Sequence, residues 1–225
     1  MAQTGGVSRE HDPSLRQKWA FAALHGSIVA CCAWVAFGGL SLGDPIRAKV
    51  LALCAALYFL RHLITLFVLL KRNVAWSEVL GLSGFIAVFE IGFVLLGGKA
   101  FGGEPSALSA LDLGAVALVL TGSWLNTWSE LQRWFWKKLP GSKGRAYTLG
   151  LFGHSMHINY FGDSVLFFGW ALLTHSVLAF AIPLLMTVGF VFYHIPGLDT
   201  YLVQRYGAEF KSYSERTAKF VPYLY

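Results

Sequence analysis

The sequence predicts an all-α integral membrane protein: a helical bundle of about six transmembrane helices followed by a cytoplasmic C-terminal amphipathic tail. Three observations predict it. Of 225 residues, 56% are hydrophobic and only 13% charged, about half the ~25% charge of a soluble domain. The apolar residues fall in runs near the ~20 residues that cross a bilayer. The polar stretches between them alternate between rich and poor in Lys and Arg, the pattern that sets orientation in a membrane. The runs leave no room for a separate soluble domain. The expected organisation is a polar tail over residues 1–18 and one membrane-embedded domain over residues 19–225.

Residues 1–14 read as a disordered polar tail with no cleavable signal segment. Trp19 to Leu42 is the first span, and Ser41-Leu-Gly-Asp-Pro45 is a turn. Ala48 to Leu70 is the second, stopped by Lys71-Arg72-Asn73. Trp76 to Leu96 is the third, before a Gly-rich turn, and Ala107 to Trp128 is the fourth. Residues 129–163 form a basic, aromatic connection. Ser164 to Thr174 and Val177 to Tyr193 are the fifth and sixth runs. The fifth is short, so it is either tilted or begins within the preceding polar motif. Residues 197–225 are an amphipathic tail whose aromatic end is expected to dock on the bundle.

The net charge of +6 is mostly a topology signal. Arg9, Arg16 and Lys18, then Lys71 and Arg72, then Arg133 to Arg145, then Arg205 to Lys219 all fall on one side of a six-span chain. The opposite loops hold only Arg47, Lys49 and Lys99. Both termini are therefore expected in the cytoplasm, and nothing points to nucleic acid. Cys31, Cys32 and Cys54 lie in apolar runs without metal or disulfide spacing, so no metal site is expected.

Polar residues inside the runs are the candidates for function, because hydrocarbon penalises each unsatisfied group by several kcal/mol. Tyr58 and Arg61 share a helix face, with His62 adjacent; Asn126 and Glu130 share another. Glu90 sits mid-span, either functional or in a structural pair with Arg61 or His62. His157-Ile-Asn-Tyr-Phe-Gly-Asp163 is the densest polar cluster. Tyr58, near a span end, reads first as an interfacial aromatic and second as functional, and Trp124, Trp128, Trp134 and Trp136 read as an aromatic belt.

These residues, in order, resemble a known superfamily. Asn159-Tyr-Phe-Gly-Asp163 is similar to the Asn-Tyr-Phe-Gly-Glu segment of steroid 5-alpha-reductases and the Asn-Tyr-Leu-Gly-Asp segment of sterol reductases. Asn126-x-x-x-Glu130, Tyr147, Tyr58-Phe-Leu-Arg61 and the Val-Pro-Tyr-Leu-Tyr225 ending also match their pattern, over about residues 50–225. The chain looks most like the short bacterial 5-alpha-reductase-like proteins, which implies a bacterial inner membrane. The resemblance implies an NADPH-dependent reductase of a carbon–carbon double bond in an apolar, enone or sterol-like substrate. It implies a cofactor half over about residues 122–225, with Asn126, Glu130, Tyr147, His157, Asn159, Tyr160, Asp163 and Tyr201 at the cofactor and Lys143 and Arg145 at its phosphates. Tyr58 would protonate or polarise the substrate carbonyl, with Arg61 beside it. The steroid enzymes add a Glu from the preceding helix; here His25 stands there, with Glu90 as the alternative. The second resemblance is to isoprenylcysteine and phospholipid methyltransferases, which implies S-adenosylmethionine instead. His157, Tyr160 and Gly162 fit that pattern, whereas Met156 and Ile158 depart from it, and Leu198-Asp199 replaces its Glu-Glu pair.

Overall fold

The computed structural model describes residues 12–225, so most of the expected N-terminal tail, with Arg9, lies outside the described residues. Those residues form helices without strands: α1 Leu15–Gly39, α2 Pro45–Leu69, α3 Trp76–Gly97, α4 Ala110–Trp136, α5 Ile158–Leu173, α6 Val177–Tyr206 and a short surface helix, α7 Ala208–Arg216. Five of them are long and apolar enough to cross a membrane, and α5 is a shorter apolar helix. At 1.5 Å per residue its 16 residues extend about 24 Å.

The three largest differences from the expected boundaries each have a local reason. Helix α5 starts at Ile158 rather than Ser164. It can carry Asn159 and Asp163 inside its first turns because α4 supplies both with partners. Helix α4 continues past Trp128 to Trp136; the polar residues of its last turns pair along the helix, Arg133 with Glu130. Helix α6 runs beyond Tyr193 to Tyr206 through a π-turn at Phe190–His194. Pro196 follows that turn. A proline offers no amide hydrogen to the preceding turn, which relaxes into the wider ring. The first third of the expected tail is thus a continuation of the sixth span.

Two helix starts are set by acids. Asp44 accepts from the Arg47 amide at 3.1 Å ahead of Pro45, and Ser109 with Asp112 forms a capping box on α4. The deepest packing joins α4 to α5 in antiparallel. A Cβ on Gly122 would lie 2.3 Å from the Leu166 amide nitrogen and 2.4 Å from the Gly162 carbonyl. One on Gly169 would lie 2.7 Å from the Ala115 carbonyl. Ala115 and Gly122, like Gly162 and Gly169, are seven apart, so each pair falls on one helix face and lets the two backbones touch. Tyr58, Phe89, Phe93, Phe167 and Trp170 fill the core between α2, α3 and α5, mostly in edge-on ring contacts.

The basic segments gather at one end of the bundle. Lys18 Nζ donates to the Leu70 carbonyl at 2.7 Å, Val74 N donates to Ser14 Oγ at 3.1 Å, and Met156 N donates to the Ala218 carbonyl at 2.8 Å. The C-terminal segment is docked as expected: Tyr213 donates to the Phe152 carbonyl at 2.5 Å and Phe220 is buried. At the opposite end the structure corrects the reading of Arg47 as a loop charge: it lies in the first turn of α2, fully buried.

Candidate functional site

At the basic end α2, α4 and α5 carry one connected polar chain through apolar surroundings. Asn126 Nδ2 donates to the Asn159 carbonyl and to Asp163 Oδ2, each at 3.0 Å. Asn159 Nδ2 donates to Glu130 Oε1 at 3.0 Å, and Glu130 also pairs with Arg133. Asp163 Oδ1 meets Arg61 Nη1 at 2.8 Å. Five of the expected site residues, Arg61, Asn126, Glu130, Asn159 and Asp163, are therefore brought together. The four-residue spacing of Asn126 and Glu130 and of Asn159 and Asp163 puts each pair on one helix face. The glycine seam beside them sets the distance between those faces.

Tyr58 lies next to this chain. The Arg61 guanidinium sits 4.7 Å from its ring centroid, and its ring is turned into the aromatic core. Glu90 does not pair with Arg61 or His62. Its Oε1 meets His25 Nε2 at 2.9 Å, and His25 Nδ1 meets His62 Nδ1 at 3.1 Å. The reason is placement: α1 and α3 pack side by side and turn His25 and Glu90 towards each other. Both histidine rings contact Tyr58, at 5.8 Å and 4.4 Å between centroids. Glu90 thus reaches Tyr58 through two imidazoles.

The remaining expected residues sit nearer the rim of the basic end. His157 Nε2 pairs with Asp199 Oδ1 at 2.8 Å, and its ring stacks on Tyr160 at 5.9 Å. Tyr160 stacks in turn on Phe190 at 4.7 Å. Tyr201 accepts from Arg205 at 2.5 Å. Tyr147 packs against Trp136 and Phe152, and burial raises its phenol above the ordinary range. Arg145 lies 3.5 Å from Glu209, and Lys143 is exposed. Lys137 stands out among the cations of this end. Its ammonium is held below the usual lysine range by partial burial first and by Arg133 next, with Arg205 adding to the same effect. Three cations thus converge here, with Glu130 the acid that offsets them.

A groove of about 320 Å³ opens on the lipid-facing side between α2 and α4. Leucines, Ile64, Trp124 and Trp128 line it, and Arg61, Ser123 and Thr127 supply its polar atoms. Arg61 Nε and Thr127 Oγ1 are buried and have no hydrogen-bond partner among the described residues. Sequence reasoning missed this groove, since it depends on how α2 crosses α4. It also missed the glycine seam, for which the seven-residue spacing of small residues was the available signal. No group of three or more His, Cys, Asp or Glu side chains is placed to hold a metal ion among the described residues.

A cation cluster, a half-buried chain of amides and carboxylates and a phenol beside a guanidinium thus lie at the basic end, with the lipid-facing groove beside them. This arrangement can hold an anionic polar molecule at one side and an apolar one at the other. No curated protein matches the chain. A protein-family model matches residues 76–217, which runs from the first residue of α3 to just past α7 and covers more than half of the sequence. The chain belongs to that family, described as a protein of unknown function (DUF1295).

Proposed function

We propose that the protein is a membrane-embedded, NADPH-dependent reductase of a carbon–carbon double bond in a lipid-like enone or sterol-like substrate. The observation that carries this reading is the unbroken polar chain from Glu130 through Asn159, Asn126 and Asp163 to Arg61, beside Tyr58. A bilayer protein retains such a chain at a cost of several kcal/mol per unmet group, which favours a role at a reacting centre over a role in packing.

In this reading Arg133, Lys137 and Arg205 hold phosphate groups by charge-assisted hydrogen bonds, and Tyr147, Tyr201, Lys143 and Arg145 form the rim. Asn126, Asn159 and Asp163 orient the cofactor's polar face, while the apolar walls exclude water. The bound cofactor supplies a hydride for the β carbon of the enone. Tyr58 donates a proton or hydrogen bond to the carbonyl oxygen, where charge develops. Arg61, 4.7 Å from the ring, stabilises phenolate character at Tyr58. His25, His62 and Glu90 stand behind it as the connected titratable groups.

The test is thermal stability of the purified protein with NADPH and, separately, with S-adenosylmethionine. Ligand at a hundred times its Kd stabilises a fold by about 2.7 kcal/mol. NADPH is expected to raise the melting temperature, and Asn159→Ala or Asp163→Ala to remove the response. Tyr58→Phe is expected to keep the response yet lose about a hundredfold or more in enone-dependent NADPH oxidation. Stabilisation by S-adenosylmethionine alone would sink the reductase reading. One observation favours that second reading, a methyltransferase: the His157–Asp199 pair at 2.8 Å sets an acid against the histidine that methyltransferase-like chains also carry.

A further inference from the structure

We propose that the cavity between the start of α1 and the end of α2 binds the headgroup of an anionic phospholipid, with the phosphate at Lys71 and the root of an acyl chain on Leu15, Phe67 and Leu70. The cavity measures about 330 Å³, and Asp12 and Lys18 complete its charged lining. It lies at the basic end, where the exposed Trp19 sets its ring on Phe67 at 4.7 Å between centroids. Tryptophans at span ends sit at the headgroup level, so the cavity stands where lipid phosphates lie. It shares no residue with the polar chain or the cation cluster of α4, so its occupancy does not depend on the reductase reading.

The chemistry of the occupant follows from the charges. Asp12 accepts from the Ser14 amide at 2.6 Å and from the Ser14 hydroxyl at 2.8 Å. Lys18 is buried, its ammonium fixed on the Leu70 carbonyl at 2.7 Å. That carbonyl is free to accept because α2 ends at Leu69, and the last carbonyls of a helix have no amide partner. Lys18 thus supplies a fixed charge and not a contact. Lys71 is exposed and makes no hydrogen bond or ion pair among the described residues. Its charge opposes that of Lys18, and Asp12 offsets only part of the two. Arg72 beside them is paired with Glu78 and adds no net charge. Two cations and one acid leave one net positive charge at the cavity, which a single phosphodiester cancels. A zwitterionic headgroup brings its own ammonium and cancels none of it. Leu15 is exposed next to these cations, and Leu70 and Phe67 continue the apolar wall along α2 into the bilayer. Covering that wall stabilises an acyl chain and does nothing for a free phosphate, which selects the lipid as the carrier of the anion.

The test titrates the intact, detergent-purified chain with dioleoylphosphatidylglycerol and, separately, with dioleoylphosphatidylcholine, and reads bound lipid by native mass spectrometry. The first phosphatidylglycerol is expected to bind about fivefold more tightly than phosphatidylcholine, the effect of one basic residue near an anionic lipid. Lys71→Gln should abolish that preference, with an unchanged melting temperature in phosphatidylcholine nanodiscs. Lys211→Gln, which removes the same charge from the exposed face of α7, should keep it. Leu15→Asn should weaken both lipids and leave their ratio as it was. Phosphatidylglycerol with a diazirine near the start of its acyl chain should label residues 12–19 and 67–71. Equal binding of the two lipids, or a preference that survives Lys71→Gln, would overturn the charge argument. Equal losses in Lys71→Gln and Lys211→Gln would reduce the site to the field of the whole basic end. Displacement of phosphatidylglycerol by inorganic phosphate, together with full binding by Leu15→Asn, would make the occupant a free anion and overturn the lipid. Labelling spread evenly over the other spans would overturn the location.

Discussion

Arg47 and Arg61 stand fourteen residues apart on α2, about 21 Å along the helix, both inside the bundle and one near each end. At the Arg47 end every guanidinium hydrogen has an acceptor. Nε donates to Asp44 at 3.2 Å, Nη1 to Asp112 and to the Leu173 carbonyl, and Nη2 to the carbonyl and hydroxyl of Ser106 at 3.2 and 2.9 Å. Asp112 also accepts from His175 at 2.9 Å and from the Ser109 amide at 2.8 Å. At the Arg61 end the guanidinium has one acid, Asp163, and the Tyr58 phenol beside it, and Nε makes no hydrogen bond among the described residues. Burial alone does not separate the two. Saturation does: a closed set of partners ties helix ends together, and an open one leaves chemistry for a ligand.

The comparison is tested most severely by removing each charge in turn. Arg47→Met leaves Asp44 and Asp112 buried without their cation, and breaking such a pair costs about 3–5 kcal/mol. Arg61→Met leaves a single carboxylate that keeps Asn126 as donor, at about 1–3 kcal/mol. Unfolding of the two variants in the same nanodiscs should therefore rank Arg47→Met as the more damaging. Equal losses would erase the distinction between a closed and an open cluster.

The next test acts on the open end without touching a polar group. Gly122→Ala puts a methyl against backbone atoms of Leu166 and Gly162, and backbone cannot rotate aside. Overpacking of this kind costs about 1–3 kcal/mol. Because the seam spaces Asn126 from Asp163, the variant should also lose its NADPH response, while Gly114→Ala, whose Cβ meets open space, should lose neither. A Gly122→Ala protein that is less stable yet still responds to NADPH would show that the polar chain tolerates a wider gap.

The two ends also differ in how far they are legible in the amino-acid order. Asn159 and Asp163 declared themselves because charged and amide groups are costly in an apolar run, so their presence there needs a reason. Arg47 drew no such notice. It follows a turn and a proline, and only the return of Ser106, Asp112 and Leu173 from distant parts of the chain makes it a buried hub. Glu90 was visible as an anomaly, but its partner was not. His25 lies 65 residues away, and only the packing of α1 on α3 brings the two within 2.9 Å. Five of the spans, by contrast, are readable from run length alone, since hydrocarbon thickness imposes that length, whereas α5 is shorter than that thickness asks. The ends of α4, α5 and α6 are not readable, because polar residues can stay helical once a neighbouring helix answers them.

The smallest effects separate two views of where phosphates bind at the open end. Arg145 is two-thirds exposed and 3.5 Å from Glu209, an arrangement that contributes less than about 1 kcal/mol. Arg145→Ala should leave the melting temperature nearly unchanged. Lys137 differs in that Arg133 and Arg205 both oppose its charge. Lys137→Gln relieves that opposition, so the protein without nucleotide should be unchanged or more stable, within about 0.5 kcal/mol. The same substitution removes a donor from a cation cluster, so NADPH should bind about tenfold more weakly, the equivalent of one charge-assisted hydrogen bond. The signs oppose: the free protein gains while the complex loses. Melting curves with and without NADPH, for both variants, read this directly. If Arg145→Ala weakens the NADPH response and Lys137→Gln does not, the phosphates lie at the rim beside Arg145 and not against Arg133 and Lys137 at the end of α4.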